Sequence, residues 1–164
     1  MSSLIARLQL GLDRTLSAIP ESFLQLLGRF SIAAVFWKSG QTKVEGFAID
    51  LVAGQVQLGW PHLSSSALDL FRDEYKLPFL PPEIAAPLAA TAEHVFPVLL
   101  LFGIATRLSA LALLGMTAVI EIFVYPDAYP THGIWATVLL YLAMRGGGKI
   151  SVDALFPKIF QQKL

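Results

Sequence analysis

Two adjacent residues, Glu93 and His94, interrupt the apolar stretch "AATAEHVFPVLLLFG" between Ala89 and Gly103. A carboxylate and an imidazole in such a place can pass protons, or hold the polar atoms of a ligand in apolar surroundings. A second apolar stretch, "FLQLLGRFSIAAVFWKSG", encloses Arg29. Ionisable groups inside membrane-spanning segments usually face the interior of a bundle and pair there. Arg29 stands six residues in from Phe23, roughly 9 Å at the helical rise, and Glu93 nine residues in from Ile84, roughly 14 Å. An arginine side chain closes that difference in level, so an Arg29–Glu93 pair is expected. The pair would either register two helices or mark the floor of a cavity for a ligand or proton. His94 is rotated ~100° from Glu93 and faces elsewhere, as a packing residue held by hydrogen bonds or as a ligand contact. Pro97, four residues after Glu93, removes the backbone donor to the Glu93 carbonyl and allows a kink there.

A second group of polar side chains, Lys38, Lys43, Glu121 and His132, joined by His62, Glu74 and Tyr75 of the long loop, converges on the outer mouth if the helices run up, down, up and down. His62, His132 and Asp127 match no metal-ligand spacing, so no metal site is expected. The chain has no cysteine. Disulfides, thiol redox chemistry and thiolate metal sites are therefore excluded, and any redox role must run through a bound cofactor or a partner. No phosphate loop, nucleophile elbow or haem attachment sequence is present.

The elements that must position these groups are membrane spans. The chain has 164 residues, 55 % hydrophobic and 15 % charged, with a mean hydropathy of +0.62. Four segments approach the ~20 apolar residues a bilayer core demands: 23–40, 84–104, 106–125 and the shorter 132–145. The reading is an all-α integral membrane four-helix bundle, one domain over 1–164, with a tight hairpin between the second and third spans. Leu4, Leu8, Leu12, Leu16 and Ile19 recur at helical spacing, which predicts an N-terminal amphipathic helix on a membrane face rather than a secretory signal. In the long outer loop, 41–83, "SSSALDLFRDEYKLP" carries a serine cap and a short amphipathic helix stopped by Pro78. The preceding "GFAIDLVAGQVQLGWP" is open between strand and helix.

Orientation follows the basic residues. Arg7, Arg14, Arg107, Arg145, Lys149, Lys158 and Lys163 fall on one side. The long loop holds Lys43, Arg72 and Lys76 against Glu45, Asp50, Asp69, Asp73, Glu74 and Glu83. Both termini are expected in the cytoplasm and the long loop outside, with Trp37, Trp60, Tyr125, Tyr129 and Trp135 as an aromatic belt. A formal net charge of zero gives no field for nucleic acid. The expected partners are the lipid bilayer and a second protein or further copies of the chain.

Several motifs in this order resemble the DoxX family. "GRFSIAAVFWKSGQTKV" is similar to its first helix, with Arg29 in the span and Gly40 and Lys43 as a Gly-x-x-Lys at its outer end; Ser39 stands where relatives often have His. "LFRDEYKLPFLPP" looks like the loop of one subgroup through Glu74 and Tyr75. "AEHVFPVLLLFGIATRLSALALLGM" supplies the acid, Glu93, and the Gly-x-x-Thr-Arg of Gly103, Thr106 and Arg107. "GGGKISVDALF" resembles the closing Gly-x-Gly-x-x-Ser-x-Asp, with Gly146, Gly148, Ser151 and Asp153. The likeness covers Leu27 to Phe156. It implies a multi-pass protein of the cell inner membrane and, from some relatives, the membrane component of a quinone-linked redox system. A non-catalytic accessory or scaffold, or a transporter receiving a small molecule or metal-bearing partner outside, is the alternative. A quinone would slide between the first two spans, meeting Arg29, His94 or Lys43, and pack on Phe36 or Trp37, where small residues (Ala33, Ala34, Ala89, Ala90, Ala92) leave space.

Overall fold

The structure is a computed structural model describing residues 2–50 and 53–156. It is mostly helical: α1 (Ser2–Ser17), α2 (Glu21–Gln41), α3 (Ser65–Asp69), α4 (Pro82–Phe102), α5 (Thr106–Phe123) and α6 (Tyr129–Arg145). Lys158 and Lys163, which contributed to the expected charge asymmetry, lie outside the described residues.

The helices carrying the expected spans shift by a few residues for local reasons. Pro20 and Pro81 precede α2 and α4 with φ fixed near the helical value. α4 ends at Phe102 rather than 104, because Gly103 takes φ +68° and its N–H and that of Ile104 close on Leu100 and Leu99. Tyr125 and Pro126 break away after α5, and α6 begins at Tyr129 rather than His132.

One apolar cluster joins Ile32, Ala33 and Phe36 of α2 to Leu100 of α4, Ala110 and Leu113 of α5, and Leu139 and Leu142 of α6. Outward faces stay apolar as well: Phe23, Leu27 and Phe30 on α2, Ile84, Leu88 and Val95 on α4, Leu108, Leu111 and Ile122 on α5, and Ile134, Leu140 and Met144 on α6 are all exposed. Helices that are apolar both inside and outside suit a lipid surround. α4 and α5 are long and apolar enough to cross a membrane. α1 is helical, and its described side chains are exposed.

The segment between α2 and α3 corrects the all-α expectation. Val44–Asp50 (β1) and Gln55–Leu63 (β2) pair antiparallel, from Val44 opposite Leu63 to Asp50 opposite Gln55. Val44, Ile49 and Val56 are β-branched, and the alternating "QVQL" of β2 has the period of a strand, not of a helix. After β2, Ser64 Oγ accepts the Ala67 N–H and caps α3, as the serine cap predicts. The chain continues as a π-helical turn over Leu70–Tyr75 that ends at Lys76, φ +44°. Phe71 of that turn packs on Ala85 and Ala86 of α4 in a second apolar cluster.

Candidate functional site

Glu93 is buried to 2 % exposure on α4, yet it does not meet Arg29. Its partner is Lys43, the last residue of the turn that closes α2, with Nζ 2.8 Å from Oε2. Lys43, 3 % exposed, also donates to the Ser39 carbonyl at 3.3 Å and the Ser39 hydroxyl at 3.1 Å. This contact is an ion pair between two enclosed side chains. The geometry requires Gly40: a Cβ there would lie 3.0 Å from the Glu93 carbonyl oxygen and 2.9 Å from His94 Cε1. Close approach of α2 and α4 at this point brings the Gly-x-x-Lys turn against the acid.

Arg29 is engaged elsewhere. Its Nη1 donates to Leu100 O at 3.1 Å and Leu101 O at 2.9 Å, and its Nη2 donates to Ile150 O. The expected Arg29–Glu93 pair is thus replaced, because the last carbonyls of α4 carry the negative end of the helix dipole and have acceptor capacity left for a guanidinium. Asp153 completes this end of the molecule. Its carboxylate accepts from Ala105 N at 2.7 Å and Thr106 N at 2.9 Å, capping α5, while its own N–H donates to Gly103 O. Gly103 itself is tight, since an added Cβ would lie 2.4 Å from Ser151 Cβ. Arg107 donates to Ala143 O near the end of α6. Arg29, Gly103, Thr106, Arg107, Ser151 and Asp153, spread through the quoted motifs, therefore form one lock around the α4–α5 turn. Asp153 was not foreseen as its centre; the signal was an acid placed after a run of three glycines, within reach of two unpaired helix ends.

His94 belongs to the α2–α4 seam. Its Nδ1 lies 2.7 Å from Ala90 O, which can only accept, so Nδ1 carries the proton. Nε2 then accepts from the Gln41 amide at 2.8 Å, and Gln41 Oε1 accepts the Ile49 N–H of β1 at 2.7 Å. Trp37 packs edge-on against His94, with ring centroids 5.1 Å apart, and donates to Ile49 O at 3.0 Å. Phe36 packs on Trp135 in the core. Of the small residues expected to leave space between the first two spans, Ala33 and Ala90 are buried, whereas Ala34 is exposed.

The open space lies on the other side of α4. A cavity of about 330 Å³ separates α4 from α5 beneath the π-helical turn. Ala89, Ala92 and Phe96 of α4, Met116 and Ile120 of α5, and Phe71 line it, with Glu93 and Tyr75 as its polar wall residues. Above it, the Tyr75 and Tyr125 rings meet edge to face at 5.8 Å, and Tyr125 donates to Glu74. Burial raises the Tyr75 phenol above its ordinary value, as does the Glu93 charge; the Glu74 hydrogen bond raises Tyr125. The outer-mouth residues separate into groups. Glu74 and Tyr75 join the roof, and Lys43 joins Glu93. His132 Nδ1 meets Glu121 Oε2 at 2.6 Å beside a second hollow between α5 and α6. Lys38 is exposed. Among the described residues, no three acids or histidines gather as for a metal.

The family model named DoxX matches residues 24–126, from α2 to the end of the α5 region. The chain belongs to the DoxX family. DoxX is a membrane family, and this is a membrane protein. An uncharacterized protein of Haemophilus influenzae is 33 % identical over 102 residues, which cover 56 % of this chain and 68 % of that protein. No solved structure matches. The DoxX match includes Arg29, Lys43, Tyr75 and Glu93; His132 and Asp153 lie beyond it.

Proposed function

We propose that this DoxX protein is the ligand-binding membrane component of a quinone-linked redox system. It is a single membrane domain, and it binds a mostly apolar aromatic molecule between α4 and α5. The cavity against Glu93 carries the reading. Its volume, about 330 Å³, falls within the ~300–1,000 Å³ usual for small-molecule sites, and it has the apolar walls with few polar groups that such sites show. In the proposed topology α2, α4, α5 and α6 span the inner membrane of the cell. Both termini face the cytoplasm, and the π-helical turn roofs the site outside. Electrons leave through a partner protein, since no cysteine is available.

Mass spectrometry of gently solubilised protein tests the proposal. A quinoid molecule should co-purify with the wild type and disappear from Ala92→Phe, which fills the cavity from α4. If the wild type carries no such molecule and binds none when it is supplied, the protein is a scaffold or accessory for its partner.

A further inference from the structure

We infer, resting on the ligand reading above, that the ligand is itself a membrane lipid: a ring carrying a long hydrocarbon chain, with the ring in the cavity and the chain lying out between α4 and α5 into the bilayer. The exposed part of the cavity wall carries the inference. Phe79, Leu88 and Gly115 all line the cavity and are all exposed, Phe79 and Leu88 to 60 % each. None of the three has a polar side-chain atom. Their exposed neighbours, Ile84 on α4 and Ile122 and Phe123 on α5, are apolar as well. The cavity thus opens sideways, on a continuous apolar flank of the kind a bilayer covers.

Both ends of this opening are held shut. On the roof side Phe71 is buried against Ala85 and Ala86, and the Phe79 ring meets Phe123 edge-on at 5.2 Å, which ties the loop to the end of α5. At the opposite end, Asp153 locks the α4–α5 turn. Between the two stands Gly115, halfway along α5, roughly 14 Å from Thr106 and roughly 12 Å from Phe123 at the helical rise. An added Cβ at Gly115 meets nothing within 4 Å, so the α5 backbone itself is the rim of the opening. In the proposed topology that rim lies deep in the hydrocarbon, where a water-borne aromatic does not travel. A chain-bearing lipid is already at that depth. Its ring moves sideways into the cavity while its chain stays in hydrocarbon, so no apolar surface of the chain has to cross water.

The test uses purified protein in lipid nanodiscs, with empty nanodiscs as the reference so that partition into lipid cancels. Two probes share one ring: a dimethoxy-methyl-benzoquinone without a chain, and its decyl derivative. The wild type should bind the decyl probe at least as tightly as the chainless one. Gly115→Leu narrows the opening from α5, at a position where the new side chain displaces no protein atom at its Cβ. Leu88→Trp narrows it from α4. In each variant the decyl probe should lose about tenfold in affinity, the size of an ordinary overpacking effect, while the chainless probe keeps its own. A wild type that binds the chainless probe and rejects the decyl one overturns the inference, because the cavity is then closed, and leaves the ligand reading standing. Equal losses for both probes, or no loss for either, in both variants do the same. Binding of neither probe by the wild type overturns both.

Discussion

Lys43 and Glu93 are each almost fully enclosed, so removing either leaves the other charge without a counterion inside the protein. Such truncations cost ~3–5 kcal/mol. Lys43→Ala and Glu93→Ala should each lower the unfolding midpoint in detergent, and the double variant should recover much of the loss. Arg29→Ala paired with Glu93→Ala should instead be additive, because Arg29 serves backbone carbonyls at the other end of α4. The tyrosines give a second prediction at this scale. Both Tyr75 and Tyr125 are held above the ordinary phenol value in the folded state. A raised folded value means that the stabilisation is complete below the unfolded value of ~10 and is lost as pH rises through the folded one. The roof should therefore stay closed through neutral pH and loosen only in strong alkali. Ultraviolet difference spectra should show a late-titrating phenol component that Tyr125→Phe reduces. The acid at position 93 was legible in the sequence as an anomaly in an apolar run, whereas its partner was not. Depth along two helices placed Arg29 near enough, but depth says nothing of competing acceptors, and the carbonyls of Leu100 and Leu101 are the stronger claim on a guanidinium.

Among the elements, the contact between α2 and α4 has the narrowest tolerance. Gly40→Ala sets a methyl against the Glu93 backbone oxygen, which belongs to a helix and cannot swing away. Overpacking of this kind costs ~1–3 kcal/mol, and here it also parts Lys43 from Glu93. The variant should lose stability and ligand together, while Gly11→Ala in α1, where an added Cβ meets nothing within 4 Å, should lose little. At the α4–α5 turn, Asp153→Ala removes the acceptor for two amides and should cost ~0.5–2 kcal/mol by thermal unfolding. The long helices were readable because apolar runs and flanking prolines mark them. The hairpin was not settled, because β1 and β2 have only half their residues apolar in a short stretch. Its structure depends on Trp37 and Gln41 of α2, which meet Ile49 through space.

For the whole molecule, orientation is the property from which the others follow. The absence of cysteine makes it directly measurable, since any introduced thiol is the only one in the chain. Ser65→Cys and Lys149→Cys fall at exposed positions near opposite ends of the helices. In intact cells a membrane-impermeant thiol reagent should modify the first and spare the second, and both should react after lysis. Labelling of both, or of neither, before lysis contradicts the proposed four-span topology. Charge distribution made this orientation an expectation from sequence. The location of the cavity could not be one, because the same small residues that suggested room, Ala33 and Ala90, are buried where α2 meets α4, while Ala89 and Ala92 line the open side.

The Gln41 side chain joins β1 to α4 through one amide, with Ile49 on its oxygen and His94 on its nitrogen. The consequence is kinetic. The Ile49 amide proton can exchange with solvent only when its bond to Gln41 opens, and that opening frees the amide that holds the His94 ring. Deuterium uptake at Ile49 is thus a clock for breathing of the helix seam behind Glu93, read from a strand outside the helices. Gln41→Ala should make that clock run fast.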